Sequence, residues 1–274
     1  FTQKGKCFWM RVFEIPEGSK NSKGRAIQNL INIEQDDRVK AFICTQDLKD
    51  EEYVNNHFVI MATKMGQVKK TSLEQYSRPR TNGINAITIK EDDELLEAKL
   101  TNGNSQIMLA VKSGKAIRFE EGKTRPMGRN ASGVRGIRLK DNKDEVVGMI
   151  SVNDMDANIL VVSENGYGKR SSLEDYRLTN RGGKGVKTIS ITEKTGKLVT
   201  LKSVSDSDDL MIINKSGIAI RMQVEDLRVM GRATQGVKVI SLKDGDSIAA
   251  VAKVMKDDDD IEDINDIEFT GDAV

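Results

Sequence analysis

The sequence predicts an all-β, propeller-like fold built from repeated units of about four strands. A glycine-centred phrase returns five times along the 274 residues, at intervals of roughly fifty residues, and a period in that range marks propellers and arrays. Apolar residues in the repeats alternate with a period of two, which is typical of strands. With 38% hydrophobic and 31% charged residues and no long apolar run, the chain has the composition of a soluble globular protein without a membrane span.

Each repeat carries two glycines, the first at a predicted hairpin turn and the second before an alternating segment. The first glycines are Gly5, Gly66, Gly114, Gly166 and Gly217, and the second are Gly24, Gly83, Gly133, Gly185 and Gly236. A glycine can adopt the positive φ of a tight hairpin without a Cβ clash. Because a repeat of this size cannot bury both faces of its sheet alone, we expect neighbouring repeats to stack.

Short runs rich in Val and Ile, bounded by Gly, Asn, Asp or Ser, are predicted as strands. They are residues 39–45, 58–63, 67–71, 84–90, 107–111, 134–140, 158–162, 186–192, 210–214 and 237–242. No stretch shows a sustained helical stripe. The segments 73–76 and 173–176 are each predicted to form one helical turn, with Tyr76 and Tyr176 packing between blades.

The net charge of +1 conceals an uneven distribution of charge. Residues 257–274 contain nine acidic and no basic residues, so the rest of the chain holds 43 basic and 33 acidic residues and carries a net charge of +10. We therefore divide the chain into a folded domain, 1–255, and a disordered acidic tail, 256–274. A basic body suggests a polyanionic partner. The tail either competes for the same surface or only improves solubility.

Basic residues recur at fixed distances from the glycines, which predicts a cationic belt on successive units. The column four residues after the first glycine holds Trp9, Lys70, Arg118, Arg170 and Arg221, and we add the preceding Lys69 and Lys169. Columns before the second glycine hold Arg125, Arg129, Arg177, Arg181, Arg228 and Arg232, with Arg78 and Arg80 nearby; Arg135, Lys187 and Lys238 follow the second glycine. Such a belt could contact DNA phosphates without reading bases. The alternative is that these residues only serve solubility.

The segment Asn180-Arg181-Gly182-Gly183-Lys184-Gly185 resembles the Gln-Arg-Arg-Gly-Gly-Lys-Gly signature of the C-terminal domain of bacterial DNA gyrase A. Residues 23–30, 34–38, 164–170 and 229–236 resemble the same domain in the same order, and the likeness covers residues 1 to about 255. Thr179 and Asn180 stand where the full signature has Gln and Arg.

This resemblance implies a β-pinwheel of about six blades of four-stranded sheets, with strands exchanged between blades and the first blade incomplete in this chain. It also implies that DNA wraps around the rim. The glycines of residues 182–185 could let the backbone approach a phosphate, with Arg181 and Lys184 supplying charge. They could equally form a loop that latches adjacent blades.

No catalytic site, metal site or cofactor is predicted. His57 is the only histidine and is expected to pack rather than ligate, and Cys7 and Cys44 are expected to be buried free thiols in the cytoplasm. The resemblance assigns DNA cleavage and ATP hydrolysis, as in a type II topoisomerase, to an N-terminal part of the same polypeptide and to a separate ATPase subunit in a heterotetramer. Two alternatives remain, the related domain of topoisomerase IV and a propeller that binds proteins.

Overall fold

Five consecutive antiparallel sheets make up the chain in a computed structural model that describes residues 1–19, 23–243 and 245–255. The predicted all-β fold is confirmed. The sheets follow the glycine repeats, so we number the repeats as units 1 to 5, each containing one first and one second glycine. The predicted tail, 256–274, lies outside the described residues.

Units 2 to 5 each contribute four strands, and unit 1 contributes one among the described residues. The strand of unit 1 is β1 (Lys6–Cys7). The strands of units 2 and 3 are β2 (Phe58–Thr63), β3 (Gln67–Ser72), β4 (Ile84–Asn85), β5 (Leu95–Thr101), β6 (Gln106–Val111), β7 (Lys115–Glu120), β8 (Val134–Arg135) and β9 (Val146–Val152). Those of units 4 and 5 are β10 (Asn158–Ser163), β11 (Tyr167–Ser172), β12 (Val186–Lys187), β13 (Leu198–Val204), β14 (Asp208–Asn214), β15 (Ala219–Gln223), β16 (Val237–Lys238) and β17 (Ile248–Met255).

Units 2 to 5 each donate their short third strand to the sheet of the preceding unit. The donated strands β4, β8, β12 and β16 pair with β1, β3, β7 and β11. The sheets of units 2, 3 and 4 therefore have four strands, for example in the order β5-β2-β3-β8. Unit 1 has a two-stranded sheet and unit 5 a three-stranded sheet within the described residues. This exchange is the one that the resemblance implies, while the number of six blades stays a prediction.

In units 1 to 4, the first glycine is required both by the turn and by the incoming strand. Gly114 joins β6 to β7 with φ +82°, and a Cβ added to it would lie 2.8 Å from the Ile189 carbonyl oxygen. That carbonyl belongs to the segment donated by unit 4. A larger residue would therefore strain the turn and also separate the two units.

The donated segments were predicted as strands of seven or six residues, but each pairs over only two residues. After β8, the N–H groups of Gly136 and Ile137 both point to the Gly66 carbonyl, at 2.8 and 3.3 Å, and the chain leaves the sheet. The predicted strand 39–45 is also wrong, since Val39 forms only an isolated bridge with Thr2.

The helical segments are short. The only α-helix among the described residues, α1 (Glu51–Asn56), was not predicted. Its N-cap is Asp50, whose carboxylate accepts from the N–H groups of Glu52 and Tyr53. The predicted turns are confirmed as 3-10 helices at Leu73–Tyr76 and Leu173–Asp175. Further 3-10 helices span Val12–Glu14, Ile27–Asn29 and Glu121–Lys123.

The hydrophobic core lies between adjacent sheets. One cluster joins Ile60 and Val68 of unit 2 to Ile107 and Leu109 of unit 3, so neighbouring units bury each other's faces. Tyr76 and Tyr176 are buried as predicted. Of the thiols, Cys7 is buried, but Cys44 is exposed, contrary to the prediction. No helix in the described part of the chain is long and apolar enough to cross a membrane.

Candidate nucleic-acid interface

Arg221 of unit 5 is exposed, but in units 2 to 4 the column four residues after the first glycine is covered by the next unit. The chain of the next unit runs parallel beside it, with bridges from Lys70 to Pro126, from Arg118 to Leu178 and from Arg170 to Val229. Lys70 is 4% exposed and Arg170 is 7% exposed. The prediction that these two side chains form an exposed cationic track is therefore wrong.

Side chains of this column hold adjacent units together. The Lys70 ammonium lies 2.9 Å from Glu121 Oε1, whose side chain is fully buried, and 4.0 Å from the centroid of the Phe58 ring. Arg118 donates to the carbonyl oxygens of Leu173 and Tyr176, at 2.8 and 3.0 Å.

Unit 4 repeats this pattern, whereas unit 5 does not. Arg170 donates to the Leu227 carbonyl and pairs with Asp206. Arg221, at the last unit, pairs with Asp209 within its own sheet at 2.7 Å. A guanidinium presents several N–H donors in a fixed plane, which suits it to carbonyl groups left unpaired at such junctions.

Lys69 and Lys169 are also inside the protein, although they were predicted as DNA-binding cations. The ammonium of Lys69 donates to the carbonyl oxygens of Ala86 and Arg129, both at 2.5 Å. That of Lys169 donates to the Gly231 carbonyl at 2.6 Å and to the Thr234 hydroxyl at 3.1 Å. Burial lowers the pKa of each lysine to about 8, because an apolar environment disfavours the charged form.

The column eight residues before the second glycine remains at the surface. Arg125, Arg177 and Arg228 are all exposed, and each directly precedes the residue that bridges to the preceding unit. The bridges fix the same local position for the three side chains at three successive junctions. No hydrogen bond or ion pair joins these three guanidinium groups to any part of the chain that the structure describes.

Two of the arginines four residues before the second glycine, Arg181 and Arg232, hold the donated strands from outside. Arg181 donates to the carbonyl oxygens of Lys123 and Arg135, at 3.0 and 3.1 Å. Arg232 repeats the contact one unit later, donating to the Lys187 carbonyl at 2.8 Å. Arg129 is likewise half-buried. The hydrogen bonds of Arg181 and Arg232 connect adjacent units, and all three side chains remain partly exposed to solvent.

Other predicted cations lie around these junctions. The donated-strand residues Arg135, Lys187 and Lys238 are exposed, as are Arg78 and Arg80. Arg78 and Arg80 line a cavity of about 280 Å³ together with Arg129 of the next unit. The carboxylate of Glu74 also lines the cavity, so three guanidinium groups face one acidic group and the opening still favours an anion.

The glycine-rich loop, residues 180–185, latches units 3 and 4. The Gly182 N–H donates to the Gly136 carbonyl at 2.6 Å, and the Gly183 carbonyl accepts from the Arg138 N–H at 2.8 Å. The Gly182 N–H is therefore not available to a phosphate. Lys184 is exposed and lines a cavity of about 140 Å³ with Arg118 and Arg177.

A family model described as "DNA gyrase C-terminal domain, beta-propeller" matches residues 1–46, 57–102, 106–153, 157–205 and 208–264. The chain belongs to this family. The five matched stretches follow the five units, so each unit of this gyrase C-terminal domain family member corresponds to one repeat of the family.

Relatives agree with that assignment. The DNA gyrase A proteins of Staphylococcus epidermidis and of Staphylococcus aureus are each 44% identical, over 260 and 262 residues. These alignments cover 94% and 95% of this chain but 29% of each relative, so the chain spans under a third of their length.

Two solved structures have the same fold. The C-terminal domain of DNA topoisomerase IV matches with a TM-score of 0.84 at 26% identity, covering 93% of this chain and 78% of that chain. The DNA gyrase A C-terminal domain matches with a TM-score of 0.78 at 25% identity, covering 93% and 80%.

Sequence reasoning missed the acidic partners of the cations in this family member. Glu121, Asp206 and Asp209 engage Lys70, Arg170 and Arg221. Glu121 also accepts from the Thr101 hydroxyl at 2.7 Å. The available signal was Trp9, which occupies the cation column in unit 1 and donates to the Tyr76 carbonyl of unit 2 at 3.1 Å. A tryptophan in a column of cations indicates an inward-facing site.

The other predicted features take structural roles. His57 Nδ1 lies 2.8 Å from the Tyr53 carbonyl oxygen, and its ring contacts the Tyr53 ring. Within the described ranges, no group of three or more His, Cys, Asp or Glu side chains is arranged to hold a metal ion.

Proposed function

We propose that this chain binds duplex DNA and bends it around its edge, as a non-catalytic domain of DNA gyrase. The observation that carries the proposal is the column of Arg125, Arg177 and Arg228. These three arginines are exposed, lie at equivalent positions on successive junctions and are unpaired within the described residues. A row of cations on a curved stack of sheets matches the charge of a curved duplex.

Binding of this kind depends little on the DNA sequence, because contacts to phosphates do not distinguish one base from another. Smooth bending of a few tens of base pairs costs about 1–6 kcal/mol, and successive arginine–phosphate contacts can offset that cost. The exposed Arg135, Lys187 and Lys238 extend the contact surface, and the half-buried Arg181 and Arg232 connect the two rows. Preference among DNA sites would then depend on how easily the DNA at each site bends.

In the whole protein, the wrapped DNA would present a neighbouring segment for strand passage, which introduces negative supercoils. Its partners would be the N-terminal part of the same polypeptide and the ATPase subunit in a heterotetramer, acting on the nucleoid in the bacterial cytoplasm. The relatives named as DNA gyrase support this proposal.

The topoisomerase IV domain is the second candidate, because the TM-score of 0.84 to that structure exceeds the 0.78 to the gyrase domain. The sequence identity of 44% to the gyrase A protein favours gyrase. A nicked minicircle, ligated after binding, distinguishes the two: a fixed change in linking number supports wrapping, and an unchanged linking number supports selection of DNA geometry. A propeller that binds only proteins would show no DNA affinity at low salt.

The direct test replaces Arg125, Arg177 and Arg228 together with alanine. The slope of log affinity against log salt should fall by about 0.9 for each lost phosphate contact, so by nearly three in all. The control replaces Lys49, Lys143 and Lys215, which are exposed cations outside the segments that carry these arginines. A slope that changes equally in both variants would contradict the proposed surface.

A further inference from the structure

Lys69 and Lys169 lie at the same position of two units, three residues after the first glycine, and both side chains are 0% exposed. We propose that these two lysines are positioning residues for loops 128–133 and 231–236, which directly follow the segments of the proposed DNA contacts Arg125 and Arg228. The lysines hold these loops from inside and place a positive charge beneath them. This inference rests on the proposed DNA binding.

The Lys69 side chain hydrogen-bonds to two separate segments of the chain. Its ammonium donates to the Ala86 carbonyl, next to the strand that unit 2 donates, and to the Arg129 carbonyl in the loop of unit 3. Gly133, at the end of that loop, lies so close that an added Cβ would come within 3.2 Å of the Lys69 Cβ. The loop that presents Arg129 is thus attached directly over the ammonium.

Lys169 makes the corresponding attachment between units 4 and 5. It donates to the Gly231 carbonyl and the Thr234 hydroxyl, and a Cβ added to Gly236 would lie 3.4 Å from the Lys169 Cβ. Both contacts fall within the loop that carries Arg232.

The junction between units 3 and 4 lacks this attachment. Ile117 occupies the equivalent position, 3.4 Å from an added Cβ on Gly183, beside a cavity of about 140 Å³. Its loop is the glycine-rich segment 180–185, held by backbone hydrogen bonds and by Arg181 instead. Phe8 occupies the equivalent position at the junction of units 1 and 2, where a Cβ added to Gly83 would lie 2.7 Å from its ring. Two loops therefore have an internal ammonium, and two, residues 78–83 and 180–185, do not.

No carboxylate in the described part of the chain lies within ion-pair distance of either buried ammonium group. The charged groups around them are Arg129 for Lys69, and Asp175 and Arg232 for Lys169. A phosphate bound to the loop above would supply the missing negative charge, so DNA binding should strengthen both attachments.

The experiment compares Lys69→Met/Lys169→Met with Lys49→Met/Lys215→Met, which removes the same charge from exposed positions. Circular dichroism confirms folding, hydrogen exchange follows the loop amides, and a labelled duplex measures affinity at fixed salt. In the first variant, loops 128–133 and 231–236 should exchange faster while loop 180–185 does not change. Its affinity should fall about tenfold, as expected for loss of charge-assisted hydrogen bonds.

An affinity within about twofold of the control variant, or unchanged exchange in both loops, would overturn the inference while leaving the proposed function intact. If the wild-type chain does not bind the duplex at low salt, the proposed function fails as well. Should the variant not fold, the ammonium Nζ resonances of wild-type Lys69 and Lys169 provide the test. They should shift when the duplex is added, and unchanged resonances would refute the inference.

Discussion

Replacement of Lys70 by methionine should destabilise the fold and leave the salt dependence of DNA binding unchanged. Lys70 and Glu121 form an ion pair in which the side chains are 5% and 0% exposed. Removal of one partner from a buried pair costs about 3–5 kcal/mol, because the other charge remains buried and unpaired. At about 2–4 °C per kcal/mol for a chain of this size, the melting temperature should fall by about 10 °C.

The assay is thermal unfolding by circular dichroism, followed by a salt titration of DNA binding below the melting transition. Lys49→Met is the control, because Lys49 is exposed and lies outside these contacts. Lys70→Met/Glu121→Leu should recover much of the lost stability, since it removes both charges from the interior. An unchanged melting temperature together with a salt slope reduced by about one would show that Lys70 contacts phosphate, which would refute the structural argument.

The turns, the buried lysines and the tail each give a further prediction. Gly114→Ala should destabilise by more than about 1 kcal/mol because φ is positive and the Ile189 carbonyl is close, whereas Gly128→Ala, which meets nothing within 4 Å, should be near neutral in urea unfolding. Burial lowers the pKa of Lys69 and Lys169 to about 8, so above that pH the unfolded state binds more protons than the folded state. The free energy of unfolding should therefore rise from about pH 8 to pH 10, and the lysine-to-methionine double variant should lack this rise. Deletion of residues 257–274 should tighten DNA binding at low salt by removing nine acidic residues, and unchanged affinity would leave the tail a solubilising role.

Local pattern predicted much of the fold. The hairpin strands 58–63 and 67–71 were located to within one residue, because a glycine turn and period-two alternation are both short-range signals. The third long strand of each unit was not located. β5, for example, reads Leu-Leu-Glu-Ala-Lys-Leu-Thr, and its paired charges obscure the alternation. The exchange of strands between units was predicted only from the family resemblance and not from local sequence pattern.

The candidate site was predicted in part. Repeat position correctly grouped Arg125 with Arg177 and Arg228, and these side chains are exposed. Repeat position could not show that Lys70 and Arg170 are covered, since the covering segment lies more than fifty residues further along the chain. Alternation along a strand gives the face to which a side chain points, and only the tertiary structure shows what lies against that face.

Strand donation also limits how such a chain can lengthen or shorten during evolution. The sheet β12-β7-β6-β9 takes three strands from residues 106–152 and the fourth from residues 186–187. The part of the chain that carries the first three strands therefore does not contain the whole sheet. A gene duplication that copies one complete sequence unit keeps every donor matched to an acceptor. A duplication bounded by a sheet would leave exposed edges that invite aggregation. Viable copies must therefore begin and end where sequence units meet.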